Sequence, residues 1–156
     1  MENLPPTLAP LILRPIPERG EAPSSDRNAL DVVATVRQLY DRAGFEEPWI
    51  CYLAFEGERC VGTCGFTSTP EDDRVEIAYY TFPGNESRGV ATRMASALIE
   101  MARTASPGLL ITAHTLPRHG ASTAVLRKLG FAHVATREDP EDGTIWVWQR
   151  GQGSGG

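Results

Sequence analysis

The sequence predicts an α/β (α+β) domain whose central sheet, six- to seven-stranded, mixed but mostly antiparallel, carries helices on both faces. Three observations lead there. Between Val75 and Met101 the apolar period changes from two to near 3.6, with Pro83, Gly84 and Asn85 at the break, so a strand runs through a polar turn into an amphipathic helix. Upstream, Ile50 to Phe55 and Arg59 to Thr67 are strand-like runs separated only by Glu56, Gly57 and Glu58, a loop short enough for a hairpin. Downstream, a strand and a second helix lead into a closing hairpin.

Taken in order, Met1 to Pro10 is proline-rich and expected to be loose at its beginning, and Leu11, Ile12 and Leu13 form a short first strand. A loop over Pro17 to Ser24 precedes a helix capped by Ser25 or Asp26, with Leu30, Val33, Val36 and Tyr40 as its apolar face and Gly44 near its end. Phe45, Glu46, Glu47, Pro48 and Trp49 form a connection whose aromatic and acidic groups suit a cleft for a cationic substrate. In the blander reading Trp49 simply packs in the core. The hairpin strands follow, then a polar turn over Pro70 to Arg74, giving three consecutive antiparallel strands. On the strand from Val75, Val75, Ile77 and Tyr79 alternate with Glu76, Ala78 and Tyr80. The helix from Val90 carries Val90, Met94, Ala97, Leu98 and Met101 as its stripe and stops at Pro107 and Gly108. Leu109 to His114 is a further strand. Gly120 to Leu129 is helical with Ala121, Val125 and Leu129 on one face, Gly130 as a left-handed stop and Phe131 closing over it. Phe131 to Thr136 and Thr144 to Gln149 pair across the connection Arg137 to Gly143, with Trp146 and Trp148 covering core. Residues 151 to 156 are too poor in side chains to fold and read as a flexible tail, leaving one domain over residues 1 to 150.

A chain of 156 residues can bury roughly 70% of the surface it would expose unfolded, so no disulfide is required. Cys51, Cys60 and Cys64 lie inside apolar runs with no basic, apolar leader before them, and are expected to be buried small hydrophobes in a cytoplasmic protein. No second pair of ligands stands near Cys60 and Cys64, so no metal is expected. The net charge of −5 argues against nucleic acid and anionic membranes as partners, and no apolar run approaches the roughly 20 residues of a membrane span.

The helix start at Val90 presents unpaired N–H groups and the positive end of the helix dipole, and small Gly89 and Ala91 let an anion approach. The spacing from Gly84 to Gly89 matches the glycines of a triphosphate-binding loop. However, Val90 and Ala91 stand where that loop needs lysine and a hydroxyl, and the sole lysine is Lys128. Hairpin-joined strands and the lack of G-x-G-x-x-G exclude a dinucleotide fold. The turn suits a phosphate that is bound and not hydrolysed.

Glu86, Ser87, Arg88, Gly89, Val90 and Ala91 occupy the register of [QR]-x-x-G-x-[GA], and the run from Ile111 to Phe131, ITAHTLPRHGASTAVLRKLGF, ends in K-L-G-F. On these two signatures the chain, from roughly Leu11 to Gln149, resembles the GNAT superfamily of coenzyme A dependent N-acyltransferases, with some likeness to ribosomal-protein N-terminal acetyltransferases. The resemblance implies acetyl-CoA as co-substrate, held at its pyrophosphate by backbone amides of Ser87, Arg88, Gly89, Val90, Ala91, Thr92 and Arg93, with Arg88 and Arg93 as charge partners. Its pantetheine arm would run beside Tyr80, Thr81 and Phe82. Glu86 replaces the usual glutamine or arginine, so its carboxylate should turn away. Leu126 stands where many members carry the tyrosine that protonates the departing thiolate, leaving Ser122 and His119 as candidate acids that also border the cofactor. Glu76, on the strand ahead of the turn, is the candidate general base for direct attack by an amine, its bland alternative being an ordinary strand residue. Trp49, Glu46 and Tyr80 are the candidate substrate contacts.

The implied acceptor is a small-molecule amine or a peptide N-terminus. GNAT-like folds often dimerise through their late strands, so a homodimer stays open. Leu126 and Glu86 also admit a second reading, an acyl-CoA-binding or regulatory domain that has lost catalysis. A third is a β-rich interaction domain whose glycine turn merely starts a helix.

Overall fold

In the computed structural model, which describes residues 10–151, β-branched and aromatic runs pair into one seven-stranded sheet of order β1-β2-β3-β4-β5-β7-β6. The elements in chain order are β1 (Leu11–Pro15), α1 (Arg27–Ala43), β2 (Cys51–Glu56), β3 (Arg59–Phe66), β4 (Arg74–Thr81), α2 (Val90–Ala105), β5 (Leu110–Thr115), α3 (Ala121–Lys128), β6 (Ala132–Asp139) and β7 (Gly143–Arg150). The expected mixed, mostly antiparallel sheet is present: only β4 and β5 pair in parallel, as a strand–helix–strand crossover requires. The expectations for residues 1–9 and for the tail from 152 fall outside the described residues.

Asp26, of the two caps the sequence allowed, holds the start of α1, its carboxylate accepting from the N–H groups of Asn28 (3.0 Å) and Ala29 (3.3 Å). The helix packs on one face of the sheet through Ala29, Val33, Val36 and Tyr40. Leu30, expected in that face, is exposed: the small Ala29 takes the sheet-facing position, in phase with Val33 and Tyr40. The Tyr40 hydroxyl donates to Ile16 O (2.8 Å) and accepts from Cys51 N (3.1 Å), tying the chain after β1 to the start of β2, and burial pushes its pKa up.

On the opposite face α2 crosses β1, β3 and β4, burying Val90, Met94, Ala95, Leu98, Ile99 and Ala102. Ala97 and Met101 are only half-buried, because the buried face is rotated towards Ala95, Ile99 and Ala102 and leaves them at its flank. In α3 the buried residues are Thr123 and Leu126, not Ala121, which is exposed. Gly130 is left-handed as expected, and Phe131 N–H returns to Leu126 O at 2.9 Å. The β6–β7 ribbon is longer than expected, pairing as far as Asp139 with Gly143, because Arg137, Glu138 and Asp139 sit in a ladder open to solvent and need not leave it to stay hydrated. Trp148 is buried and Trp146 half-buried against the core. Cys51, Cys60 and Cys64 are free thiols, the first and last buried and Cys60 half-buried.

At two positions the packing leaves no room for a side chain: a Cβ on Gly62 would lie 2.7 Å from Tyr80 O, and Gly65 is tighter still. A Cβ on Gly65 would lie 2.6 Å from Cys51 Cα and 2.8 Å from Ile50 O, both on the neighbouring strand. Gly65→Ala must push β2 and β3 apart, and we expect it to lower unfolding free energy by about 1–3 kcal/mol in urea titrations.

Candidate active site

Parallel pairing of β4 and β5 stops after Glu76 opposite Thr112, whereas β4 stays paired with β3 from Ile77 to Thr81. The two strands therefore diverge beyond Glu76, and the edge of β4 that faces β5 is open from Ile77 onward. A groove of about 360 Å³ occupies this opening, lined by Tyr79, Tyr80 and Thr81 of β4, by the turn from Asn85 to Thr92 except Arg88, and by Ala121, Ser122 and Val125 of α3.

The turn is shaped by two left-handed residues, Ser87 (φ 66°) and Gly89 (φ 77°), which alternate with right-handed backbone and gather successive N–H groups into an anion-binding concavity. Gly89 caps α2 without a side chain, and the first intrahelical bond of the turn is Arg93 N to Gly89 O at 3.0 Å. The N–H groups of Val90, Ala91 and Thr92 thus have no acceptor within the helix. A Cβ on Gly89 would meet nothing within 4 Å, so the space before these donors is clear. Glu86 turns its carboxylate back onto its own loop, accepting from Gly84 N at 2.9 Å. The site fits a pyrophosphate held by backbone amides and the helix dipole.

Arg88 and Arg93 do not line the groove. Both guanidiniums are engaged by Glu56 at the end of β2, Arg88 at 3.0 Å and Arg93 in direct contact, and Arg88 also donates to Asn85 Oδ1 (3.1 Å). The Arg93 guanidinium holds the nearly buried Glu56 carboxyl below the usual carboxylate range. These ion pairs tie the turn, where the two arginines were expected as charge partners of the phosphate, to the end of β2. Phe82 also departs from expectation: its ring is buried and its N–H is spent on Val61 O (2.9 Å), so the strand edge available to the pantetheine arm is that of Tyr79, Tyr80 and Thr81.

On the α1 face, a second, apolar cavity of about 190 Å³ meets the groove at Tyr79 and Tyr80 and is lined also by Val36, Leu39, Cys51, Thr63 and Thr67. Glu76 is joined to this cavity through Thr67, although neither Glu76 nor His114 lines either cavity. Its carboxylate accepts from Thr67 Oγ1 (3.1 Å) and contacts His114 Nδ1 at 2.6 Å, and His114 Nε2 lies 3.4 Å from Asp142 Oδ2. Donating this hydrogen bond to the Glu76 carboxylate raises the His114 pKa above its usual value. His114 escaped the sequence reading, although the alternation Ile111, Thr112, Ala113, His114 puts it in phase with Thr112 and so on the face of Glu76. The Tyr79 ring packs against the core, and its hydroxyl reaches across the divergence to donate to Ser122 O at 3.3 Å.

The remaining candidates separate. Ser122 borders the groove, but His119 stacks edge-on against Trp146 (5.1 Å between ring centres) and does not line it. Trp49 packs edge-on against Phe66 (5.0 Å), the blander of its two readings, and Glu46 is exposed in the same connection. Neither lines the groove or the apolar cavity. Leu126 is fully buried, so its side chain is core and not groove wall. Among the described residues no group of His, Cys, Asp and Glu is arranged to hold a metal ion, and no helix is long and apolar enough to cross a membrane.

Residues 10–132 match the family model described as the acetyltransferase (GNAT) domain. No curated protein matches the sequence significantly. Among solved structures, the fold is similar to RimL, a ribosomal L7/L12 alpha-N-protein acetyltransferase (TM-score 0.68, 18% identity, 91% of this chain and 93% of that one). It is also similar to an IAA acetyltransferase from Bacillus cereus ATCC 14579 (TM-score 0.69, 12% identity, 91% and 99%). A spermidine N-acetyltransferase chimera from Vibrio cholerae and hSSAT is a third (TM-score 0.67, 11% identity, 91% and 95%). With the family model spanning most of the chain, and a seven-stranded sheet whose divergent parallel pair opens beside an amide-lined helix start, the protein belongs to the GNAT acetyltransferases, enzymes that pass an acetyl group from acetyl-CoA to an amine.

Proposed function

We propose that the protein acetylates a primary amine by direct attack on acetyl-CoA, with Glu76 and His114 together accepting the amine's proton. The observation that carries this reading is the 2.6 Å contact between Glu76 and His114 where β4 and β5 part, beside the apolar cavity. An alkyl ammonium of pKa ~10.4 must lose a proton, which at neutral pH costs roughly 4–5 kcal/mol. A lone carboxylate of pKa ~4.3 is a poor acceptor for it. Coupled to an imidazole whose pKa is raised, the pair takes up the proton as a unit and holds it near neutrality. Asp142 at the far side of the ring then offers a path to solvent.

The backbone N–H groups from Ser87 to Thr92 hold the pyrophosphate, and the open edge of β4 runs beside the pantetheine arm. The acceptor enters from the α1 face. Val36, Leu39 and Cys51 supply that cavity with apolar walls and its volume admits one small side chain, so the favoured acceptor is a small amine or a peptide N-terminus with an apolar first residue, not a polycation. Three fold relatives named for a ribosomal protein, for IAA and for spermidine leave that choice to the cavity.

Release of free thiol from acetyl-CoA, measured against a panel of amines, tests the reading. Amines bearing a short apolar group should exceed spermidine in kcat/KM by about tenfold or more, the scale set by burying one or two methylenes. A preference for the polyamine would overturn the acceptor assignment. The buried Leu126 in the tyrosine position favours a second reading, an acyl-CoA-binding domain without turnover. Coenzyme A binding with no thiol release on any amine would select it.

A further inference from the structure

We propose that Tyr79 is the acid that protonates the departing thiolate, in place of the α3 position that the buried Leu126 occupies. This rests on the acetyl-transfer reading above. Leu126 has no proton to give and is 0% exposed, and His119 is turned onto Trp146 away from the groove. Ser122 borders the groove, but an aliphatic hydroxyl is a much weaker acid than a phenol.

Tyr79 alone of these belongs to both cavities, at the point where the amine side and the cofactor side meet. Its hydroxyl is delivered to the α3 start, 3.3 Å from Ser122 O, so a strand residue places a phenol at the helix from which the usual acid would have come. That single hydrogen bond orients the phenol, and its one proton, resting on Ser122 O, must turn about the C–O bond to reach the sulfur as the thiolate forms. Burial pushes its pKa up to about 12, so it stays protonated across the working range. Its partner across the β3–β4 ladder, Cys64, is likewise pushed up by burial and stays a neutral thiol, and Glu76 lies on the other face of β4. The step balances: the amine nitrogen bonds to the acetyl carbon, the carbon–sulfur bond breaks with its electron pair going to sulfur, and the Tyr79 proton moves to that sulfur. The nitrogen's surplus proton passes to Glu76 and His114, and the phenolate is reprotonated from solvent.

Tyr79→Phe keeps the ring and should melt within a few degrees of the unmutated protein. It should lower kcat about 10- to 100-fold with the dissociation constant for coenzyme A little changed by calorimetry, and cost more than Ser122→Ala does. A second readout needs no turnover. A hydroxyl donating to sulfur favours the thiolate, so the thiol of bound coenzyme A should ionise at lower pH in the unmutated protein than in Tyr79→Phe, followed by thiolate absorbance. Equal thiol titrations in the two proteins, or a kcat loss confined to Ser122→Ala, would overturn the assignment. Absence of turnover in the unmutated protein would instead count against the transferase reading, and the thiol titration would still decide for or against Tyr79.

Discussion

Gly89→Glu is expected to abolish coenzyme A binding, a loss of about 100-fold or more by calorimetry, while the protein stays folded. Two costs separate at this residue. The first is conformational: at φ 77° any Cβ is strained, by roughly 1–2 kcal/mol, which a domain with about 5–15 kcal/mol of stability survives. The second is electrostatic and falls on the ligand alone. Because nothing lies within 4 Å of the added Cβ, the new carboxylate can fold over the N–H groups of Val90, Ala91 and Thr92 and satisfy them itself, as a pyrophosphate would. Gly89→Ala carries the same backbone strain without the charge, so it should melt like Gly89→Glu yet retain most of the affinity. Normal affinity in Gly89→Glu would show that the anion lies elsewhere, and equal losses in both variants would assign the effect to backbone distortion.

The contrast between what was legible and what was not follows the range of the forces involved. Turn, cap and periodicity are steric matters settled within a few residues. The amide cradle at Gly89, the stop at Gly130 and the succession of strands and helices could therefore be read along the chain. Pairing partners are set by register between distant segments. Arg88 and Arg93 looked like phosphate ligands because they neighbour the turn; nothing local says that Glu56, 37 residues before Arg93, arrives with the end of β2 to claim them. The Glu76–His114 contact likewise exists only because β4 and β5 pair in one particular parallel register, 38 residues apart. Leu30 and Leu126 make the same point for helices: the pattern gives a face to within a residue, and the sheet beneath decides whether Ala29 or Leu30 faces it. Tyr79 shows how far alternation reaches: its ring packs against the core in phase with Val75 and Ile77, but only the divergence of β5 brings its hydroxyl to Ser122.

Glu76→Gln should lower turnover by about tenfold or more near neutral pH, with coenzyme A affinity unchanged, because in the proposed mechanism the carboxylate acts with His114 on the amine and it does not line the cofactor groove. The sign of the pH effect follows from His114. Glu76, the largest influence, raises its pKa above 6.5; Asp142 and Asp139 from the β6–β7 ribbon add to this, and partial burial opposes it. The rate of the unmutated enzyme should therefore climb with pH through a midpoint above ~6.5, as the pair gives up the proton that blocks it. In Glu76→Gln the main source of that upward shift is gone, so the rise should shrink and its midpoint should move down towards ~6.5. Stability supplies an independent check. A histidine whose pKa is raised on folding contributes stabilisation that is complete below the unfolded value of ~6.5 and is lost as pH rises through the folded value. The variant should thus be most destabilised relative to the parent near pH 6 and least near pH 9, in chemical denaturation across that interval. Kinetics that match the parent throughout roughly pH 6–9 would remove Glu76 from the proton path. A stability difference independent of pH would show that its pairing with His114 does not persist in solution, and with it would go the reason a carboxylate at this strand position can deprotonate an amine.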